Sequence, residues 1–382
     1  MAVYKIFPTK DTTIYSRYPA QNTGLDSIIE ASVDSDAKIS RYLVQFSQEE
    51  INTLVDTTIS SSYSSGSGFE DIKVFLSSYI ADIKNLNTDT TLQVYPVSGS
   101  WNMGTGRFND TPQTDNGCSW KFRSYSGSNP WLTSGFSAYS TGSWGDVSGG
   151  GNWYTGSALG YSVVGSQIYN YNSDKDLNID VTGTFKTWYS QSKSLTSDGF
   201  NNDGFIIKQS PSDEVGGLYK NAQIKFYSVD TNTIYPPELQ FKWKDSTFDT
   251  GSSTIPIINN PELVASLDNN PGEFRRDSIH KFRLNCRPQF PTRTYSTSSI
   301  YLTQHYLPFS SSYAVKDLNT NEYVVDFDDN YTRISADSTG SYFDLYMKGF
   351  EPERYYQLLI KVPIGNQVLI LDDDYYFKVI NG

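Results

Sequence analysis

The chain has 382 residues and a formal net charge of −12, from 42 acidic and 30 basic side chains. An acidic surface repels phosphate backbones and anionic lipid headgroups, so the charge argues against nucleic acid and against a membrane as partners. The sequence has no apolar run of the about 18 residues that a membrane-spanning helix needs, and its start lacks the basic and apolar stretches of a signal peptide. The length is sufficient for two domains.

Residue types that carry enzyme chemistry are few. Cys118 and Cys286 lie far apart, which predicts two free, partly buried thiols and no disulfide framework. His280 and His305 stand among strand-forming residues without a metal-ligand spacing, so we expect both to be structural or surface residues. The sequence also lacks a nucleophile elbow, a phosphate-binding loop and a Cys-x-x-Cys pair. Composition therefore favours binding or assembly over catalysis.

Alternating apolar and polar residues predict short strands along the first part of the chain. The apolar residues that would share a strand face are Ile72, Val74 and Leu76, then Leu92 and Val94, then Leu239, Phe241 and Trp243. Two short helices interrupt the pattern. Ser47 and Glu50 have capping-box spacing, with Ile51, Leu54 and Val55 following at helical intervals. A second helix is predicted over 181–189, with Val181, Phe185 and Trp188 on one face.

Residues 98–160 differ from this pattern because they hold five of the seven tryptophans amid Gly, Ser, Asn and Thr. Little of the stretch alternates, so we expect long, ordered excursions from a sheet, with the indole rings holding them in place. Long segments without regular structure are usually functional or form contact surfaces. We call residues 98–160 the tryptophan-rich excursion.

A second unit of strands follows a polar linker at 246–262. Phe282, Leu284 and Cys286 alternate in its first predicted strand, and further alternating runs continue to the end of the chain. About seven strands in about 120 residues fit an immunoglobulin-like β-sandwich. We therefore predict an all-β protein, with one β-sandwich domain over 1–245 and a smaller immunoglobulin-like β-sandwich over 263–382.

The first domain resembles jelly-roll modules of the disaggregatase-related (DNRLRE) type, which are akin to carbohydrate-binding modules. The residues that carry the resemblance are, in order, Asp11-Thr-Thr-Ile-Tyr, Asn22-Thr-Gly24, Arg41-Tyr-Leu-Val-Gln-Phe46, Val94-Tyr-Pro-Val, Trp101, Gly150-Gly-Asn-Trp153, Asp180-Val-Thr182, Trp188, Asp203-Gly-Phe-Ile-Ile-Lys and Pro236-Pro-Glu-Leu-Gln-Phe. They cover about residues 4–244, and the chain departs from the pattern by enlarging the 98–160 region. The resemblance implies a jelly-roll β-sandwich.

The second domain and the pairing of the two domains resemble virion structural proteins of tailed bacteriophages, especially the large marine phages of cyanobacteria. The residues concerned are Arg287-Pro-Gln-Phe-Pro, Lys316-Asp-Leu, Asp326-Phe-Asp, Glu351-Pro-Glu-Arg-Tyr-Tyr and Phe377-Lys-Val-Ile-Asn-Gly. The resemblance implies a non-enzymatic component of the tail, baseplate, neck or capsid surface. Its partners would be other virion proteins and copies of itself, after synthesis and assembly in the host cytoplasm.

Two alternatives to assembly follow from the first domain. A binding module could recognise host-surface polysaccharide, and a carbohydrate-active enzyme is less favoured because no acid/base constellation is evident. Indole and phenol rings stack on sugar faces and are also enriched at protein interfaces. The candidate residues for glycan or subunit contact are Trp131, Trp144, Trp153 and Tyr154. The same rings could instead only hold the loops in place.

The second domain's candidate contact stretch contains Arg287, Phe290 and Arg293, where prolines end a strand and arginines flank an aromatic ring. No cofactor is expected, although jelly-roll modules often carry a structural calcium ion. Oxygen-rich stretches at 174–178, 198–204 and 326–329 are the candidates, and the first lacks the glycine and the acidic residue of a complete calcium loop. The carboxylate pairs Asp326 with Asp328 and Asp372 with Asp374 more closely fit solvated turns than a catalytic pair.

Overall fold

The protein is described here from a computed structural model. The structure describes residues 2–59, 71–124, 129–131, 149–154, 165–173, 176–195, 199–214, 221–249, 257–268, 270–291, 305–373 and 375–381. Two compact units divide the chain. The larger unit comprises Ile6–Thr58 and Lys73–Gln240, and the smaller comprises Met1–Lys5, Ile59–Ile72 and Phe241–Gly382.

In the described residues, the first part of the chain contains short strands and three short helices. The strands are β1 (Ala2–Ile6), β2 (Pro8–Tyr15), β3 (Ile28–Val33), β4 (Ile39–Phe46), β5 (Lys73–Ser78), β6 (Ile80–Lys84), β7 (Thr90–Pro96), β8 (Phe122–Ser124), β9 (Asn129–Pro130), β10 (Gly165–Tyr169), β11 (Leu177–Asp180), β12 (Phe205–Gln209), β13 (Gln223–Tyr227) and β14 (Glu238–Trp243). The helices are α1 (Gln48–Thr53), α2 (Thr182–Ser192) and α3 (Pro211–Glu214), and a π-helical turn at Leu54–Ile59 continues α1.

These strands form three sheets. An eight-stranded sheet has the order β10–β7–β12–β4–β3–β13–β6, with β2 also paired to β4. A four-stranded sheet has the order β1–β14–β5–β11, and β8 pairs with β9 alone. The predicted period of two is confirmed, because Val74, Leu76, Leu92 and Val94 are all buried.

The predicted helices are also confirmed. The Ser47 hydroxyl accepts a hydrogen bond from the Glu50 backbone N–H at 3.3 Å, as a capping box requires. Phe185 and Trp188 are buried on one face of α2. No helix in the part of the chain that the structure describes is both long enough and apolar enough to cross a membrane.

The smaller unit contains a second layered arrangement of strands. They are β15 (Leu263–Asp268), β16 (Glu273–Arg275), β17 (Ile279–Pro288), β18 (Ser312–Asp317), β19 (Tyr323–Val325), β20 (Ser335–Asp337), β21 (Gly340–Tyr346), β22 (Tyr355–Ile364), β23 (Gln367–Leu371) and β24 (Tyr376–Ile380), with a 3-10 turn at Met347–Gly349. One sheet has the order β15–β17–β21–β20. The other has the order β16–β24–β22–β18–β19, with β23 paired to β22.

Aromatic rings from both of these sheets form the core of the smaller unit. Tyr313 of β18 stacks on Phe343 of β21 with ring centroids 4.3 Å apart, and Phe282 of β17 also stacks on Phe343, at 5.4 Å. Phe282, Leu284 and Cys286 are buried as their alternation predicted. The all-β sandwich class predicted from the sequence is confirmed. Of the predicted linker, the structure describes 246–249 and 257–262, which belong to the smaller unit.

Candidate functional site

The outward face of three neighbouring strands in the larger unit forms a polar floor. Lys225 of β13 lies opposite Glu30 of β3, and Gln223 lies opposite Ser32. The intervening residues Ile29, Ala31, Ile224 and Phe226 are buried in the core. Since side chains alternate across a strand, the polar residues must share the opposite face. Ser40 of β4, paired with Ser32, extends this floor by one strand.

Three aromatic rings stand beside the floor. Phe108, from the tryptophan-rich excursion, lies 4.9 Å from the Tyr15 ring and 5.6 Å from the Tyr18 ring, measured between centroids. Phe108 remains 40% exposed, so one part of its ring packs on the tyrosines and another part faces solvent. We call Tyr15, Tyr18 and Phe108 the aromatic wall.

Floor and wall enclose a groove of about 460 Å³. This volume lies within the range of about 300–1,000 Å³ that small-molecule sites occupy. The remaining lining residues come from the turns at both ends of β3 and from the strands beside it: Arg17, Asp26, Ser27, Ile28, Asp34, Lys38 and Ile39. The groove is therefore large enough for a small polar ligand and combines hydrogen-bonding groups with an apolar surface.

Most of the charged groups of the groove form ion pairs. The Lys225 ammonium lies 3.4 Å from the Glu30 carboxylate, which also accepts a hydrogen bond from the Ser40 hydroxyl at 2.9 Å. Arg17 contacts Asp34 at 2.8 Å and Asp36 at 2.5 Å. Burial raises the pKa of the Asp26 carboxyl, and a hydrogen bond from the Phe108 backbone N–H partly opposes this. The pairs hold the polar side chains of the floor in defined positions.

The aromatic wall depends on a buried asparagine. Asn22 is fully buried, and its amide NH₂ donates to the carbonyls of Met103 at 2.6 Å and Cys118 at 2.8 Å. Its amide oxygen accepts from the backbone N–H groups of Gly24 and Gly106. One side chain thus holds the chain on both sides of Phe108.

A second buried centre holds the later part of the excursion. The Arg41 guanidinium forms two hydrogen bonds with the Glu214 carboxylate, at 2.8 and 2.9 Å, and donates to the Gly150 carbonyl at 2.5 Å. The rings of Trp120 and Trp153 lie 4.9 and 5.3 Å from the guanidinium. Both charged residues of this pair are buried, so the arrangement is part of the core and not a surface site.

A second cation shares this carboxylate. The Lys208 ammonium lies 3.1 Å from Glu214 and donates to the Gln209 carbonyl at 2.6 Å. Burial lowers the pKa of Lys208 to about 8, against the opposing attraction of Glu214. Glu214 therefore contacts two buried cations, and the neighbouring Asp213 also attracts Lys208.

The structure places two of the predicted contact tryptophans in the interior and not on the surface. Trp131 and Trp153 are only 3% and 2% exposed to solvent, and both belong to the core of the larger unit. Neither ring is open to a sugar or a neighbouring subunit in this conformation, which favours the alternative that they hold the excursion in place. Tyr154 is half-buried and stacks on Phe200 at 4.5 Å. Trp144 lies outside the described residues.

The candidate contact stretch of the smaller unit is partly described. Phe290 is 73% exposed, as a contact residue of a surface would be. The Arg287 guanidinium donates to the carbonyl of Pro288 at 3.3 Å. Arg293 lies outside the described residues, and the role of this stretch as an interface stays a prediction.

The histidines and cysteines occupy structural positions. The His280 ring lies 4.5 Å from Phe274 and 4.6 Å from Phe282, and His305 forms a bridge with the strand residue Cys286. Both cysteines are free and buried, as predicted. Burial raises the pKa of the Cys286 thiol to about 12 and that of Cys118 further.

The predicted calcium and carboxylate sites are only partly described. Asp328 accepts backbone N–H groups from Asn330 at 2.7 Å and Tyr331 at 3.0 Å, which is the geometry of a turn. Asp174, Asp198 and Asp374 lie outside the described residues. Within the described ranges, no group of three or more His, Cys, Asp or Glu side chains is placed to hold a metal ion.

The sequence analysis did not predict the groove, although the polar residues of its floor are visible in two alternating strand patterns. Glu30, Ser32, Gln223 and Lys225 occupy the polar positions of two alternating strands, yet these strands are separated by about half of the chain. Pairing of β3 with β13 brings them together, and sequence alone does not reveal which strands pair. Phe108 stands in a loop sequence without periodicity.

Comparison with known proteins gives no information about what the groove binds, so its geometry is the basis for interpreting it. No family model matches the chain, and neither the curated proteins nor the solved structures include a match. The resemblances to DNRLRE modules and to phage virion proteins therefore stay predictions.

Proposed function

We propose that this chain is a non-enzymatic binding protein and that its larger unit binds a glycan in the groove. The observation that carries the proposal is the combination of an aromatic wall with a floor of hydrogen-bonding side chains. A pyranose has the same two kinds of surface, since its C–H groups are apolar and its hydroxyls are polar. An aromatic ring matches the first and paired polar groups match the second.

The floor offers both donors and acceptors to sugar hydroxyls. Glu30 supplies acceptor oxygens, Lys225 supplies donors, and the Gln223 amide supplies both. These side chains project from paired strands, so little conformational entropy is lost when a ligand binds. Affinity would then come from contacts that are already in place, without a rearrangement of the groove.

A direct test uses the full chain on an array of oligosaccharides and polysaccharides. Phe108→Ala removes the exposed part of the aromatic wall, and we expect the affinity for the best ligand to fall about tenfold, which is about 1.4 kcal/mol. Tyr171→Ala is the matched control, because Tyr171 is 87% exposed at the turn after β10 and lies outside the groove. Absence of any bound glycan, or equal losses for the two variants, would contradict the proposal.

A second candidate function is that of a structural component of a tailed-phage virion, at the tail, baseplate, neck or capsid surface. One observation favours assembly contacts on the smaller unit. Lys316 lies opposite both Tyr323 and Gln357, and Gln357 lies opposite Tyr376, so both tyrosines share one sheet face. Tyr355 lies two residues from Gln357 and joins them, and the three tyrosines are 39–53% exposed. Exposed tyrosines are enriched at protein interfaces.

The two candidates are compatible, because a virion protein can also bind a host-surface glycan during adsorption. The partners would then be other virion proteins, further copies of this chain and a glycan. Mass spectrometry of purified particles tests the assembly role, and we expect copy numbers in multiples of three, five or six. A protein that is missing from every particle would contradict it.

A further inference from the structure

We propose that the groove selects uncharged sugars over uronates and sulfated sugars, and that the Glu30–Lys225 pair sets this selectivity. The inference rests on the proposed glycan binding and specifies its ligand class. It follows from the balance of charge in the groove, which differs from that of the chain as a whole.

The charged lining residues cancel one another. Three are cationic and three are anionic: Arg17, Lys38 and Lys225, and Asp26, Glu30 and Asp34. Four of these six take part in ion pairs within the groove, namely Arg17 with Asp34 and Lys225 with Glu30. The lining is thus neutral on a chain with a net charge of −12.

An anionic ligand would need a cation that is free to receive it. Arg17 already contacts two carboxylates, Asp34 and Asp36. Lys225 contacts Glu30, whose side chain is only 15% exposed, so an anion that approached Lys225 would also approach a poorly screened carboxylate. Lys38 is exposed at the rim, where salt screens its field. Repulsion from the acidic chain acts in the same direction.

Neutral hydroxyl groups meet no such obstacle. A hydroxyl can donate to Glu30 and accept from Lys225 without breaking the contact between them, because each group has spare hydrogen-bonding capacity. The pair then presents a donor and an acceptor side by side on adjacent strands. This is the arrangement that two neighbouring sugar hydroxyls complement.

The experiment changes the charge of the pair and keeps its shape. Glu30→Gln retains an acceptor for the Ser40 hydroxyl and removes the carboxylate that contacts Lys225. Lys225→Gln is the matched variant, which leaves Glu30 as an uncompensated anion. Circular dichroism and thermal unfolding of both variants establish that each remains folded. Affinity electrophoresis of the full chain at about 0.15 M salt, where the screening length is about 8 Å, then compares neutral and acidic polysaccharides.

The probes are dextran against dextran sulfate, fully methyl-esterified against de-esterified polygalacturonate, and neutral mannan and glucan against alginate. We expect the unaltered chain to be retarded by at least one neutral polysaccharide and by no acidic one. Glu30→Gln should shift the ratio of acidic to neutral affinity about tenfold toward the acidic member of a pair, which is about 1.4 kcal/mol, and Lys225→Gln should not.

Three results would contradict the proposal, and they can be told apart. Stronger retardation of the unaltered chain by sulfated or uronate polymers would overturn the neutral selectivity and leave glycan binding intact. Unchanged selectivity in Glu30→Gln would show that the pair does not set it. Retardation by none of the polysaccharides would overturn the glycan proposal and this inference together.

Discussion

The buried carboxyl group of Asp11 should make the larger unit less stable as the pH rises from acidic to neutral. Asp11 in β2 is 1% exposed, and its two oxygens accept hydrogen bonds from the Ser228 hydroxyl at 3.0 Å and the Val229 N–H at 2.7 Å. Burial outweighs these bonds and raises the pKa of Asp11 from 3.8 to about 7, and the nearby Asp230 carboxylate adds to the rise. The native state therefore holds this proton when the unfolded chain has lost it.

The magnitude follows from the difference between the two pKa values. The native pKa of about 7 lies about three units above 3.8, and one unit corresponds to about 1.4 kcal/mol, so ionised Asp11 costs about 4 kcal/mol of folding free energy. The cost is absent below the unfolded pKa, grows as the pH rises from 3.8 toward 7, and is fully present above the native pKa. Between about pH 5 and about pH 8 the loss is about 2 to 3 kcal/mol.

Asp11→Asn removes the titration and keeps the shape, because the amide oxygen can accept from Val229 and the amide nitrogen can donate to the Ser228 oxygen. Urea unfolding followed by tryptophan fluorescence reports mainly the larger unit, whose ranges contain six of the seven tryptophans, while Trp243 falls in the smaller unit. From about pH 5 to about pH 8 we expect the unaltered chain to lose about 2 to 3 kcal/mol more stability than the variant.

The control is Asp89→Asn, the same chemical change at an exposed position of the same unit. It should leave the pH dependence of unfolding unchanged. If Asp11→Asn and the unaltered chain lose stability in parallel across this range, the buried carboxyl does not titrate in it and the reasoning is refuted.

Three further predictions concern other buried groups. Glu214→Gln removes the carboxylate that contacts both buried cations, Arg41 and Lys208, and should cost about 3 to 5 kcal/mol in urea unfolding. Asp82→Asn at an exposed pair should cost less than about 1 kcal/mol, and equal costs would contradict this. Ellman's reagent at about pH 8 should label neither Cys118 nor Cys286 until urea unfolds the chain, because buried thiols with raised pKa values are unreactive; fast labelling of the folded chain would refute it. Asn22→Ala should cost about 2 to 4 kcal/mol and weaken glycan binding, because four hydrogen bonds at Asn22 are lost; Asn178→Ala, at an exposed position, should change neither.

Local patterns predicted local structure well. The alternation of Val74 with Leu76 and the spacing of Ser47 with Glu50 each depend on neighbouring residues, and both predictions are confirmed. In contrast, whether the Trp153 side chain is exposed depends on whether the loop that carries it folds back onto the core. Trp153 follows three glycines with positive φ, and a Cβ atom on Gly150 would lie 2.6 Å from the Arg41 guanidinium. The glycines allow the close approach that buries Trp153, and sequence composition does not distinguish this from a flexible loop.

The groove was beyond prediction for a related reason. Its floor requires β3 to pair with β13, and its wall requires Phe108 to lie against Tyr15. Each partner is far from the other in sequence, and each residue taken alone has an ordinary surface character. Long-range pairing therefore determined which polar residues became a site.

The order of the tryptophan-rich excursion comes from buried polar groups more than from strands. A long segment without a sheet leaves many backbone groups that need partners. Asn22 satisfies three of them, at Met103, Gly106 and Cys118, and the Arg41 guanidinium satisfies the Gly150 carbonyl. The position of Phe108 therefore depends on hydrogen bonds to a few side chains: Asn22 holds the flanking chain, while Gln21 and Asp26 bond the Phe108 backbone itself. A perturbation of Asn22 should open the aromatic wall at lower free energy than it takes to unfold the sheet, so ligand binding should be lost before secondary structure.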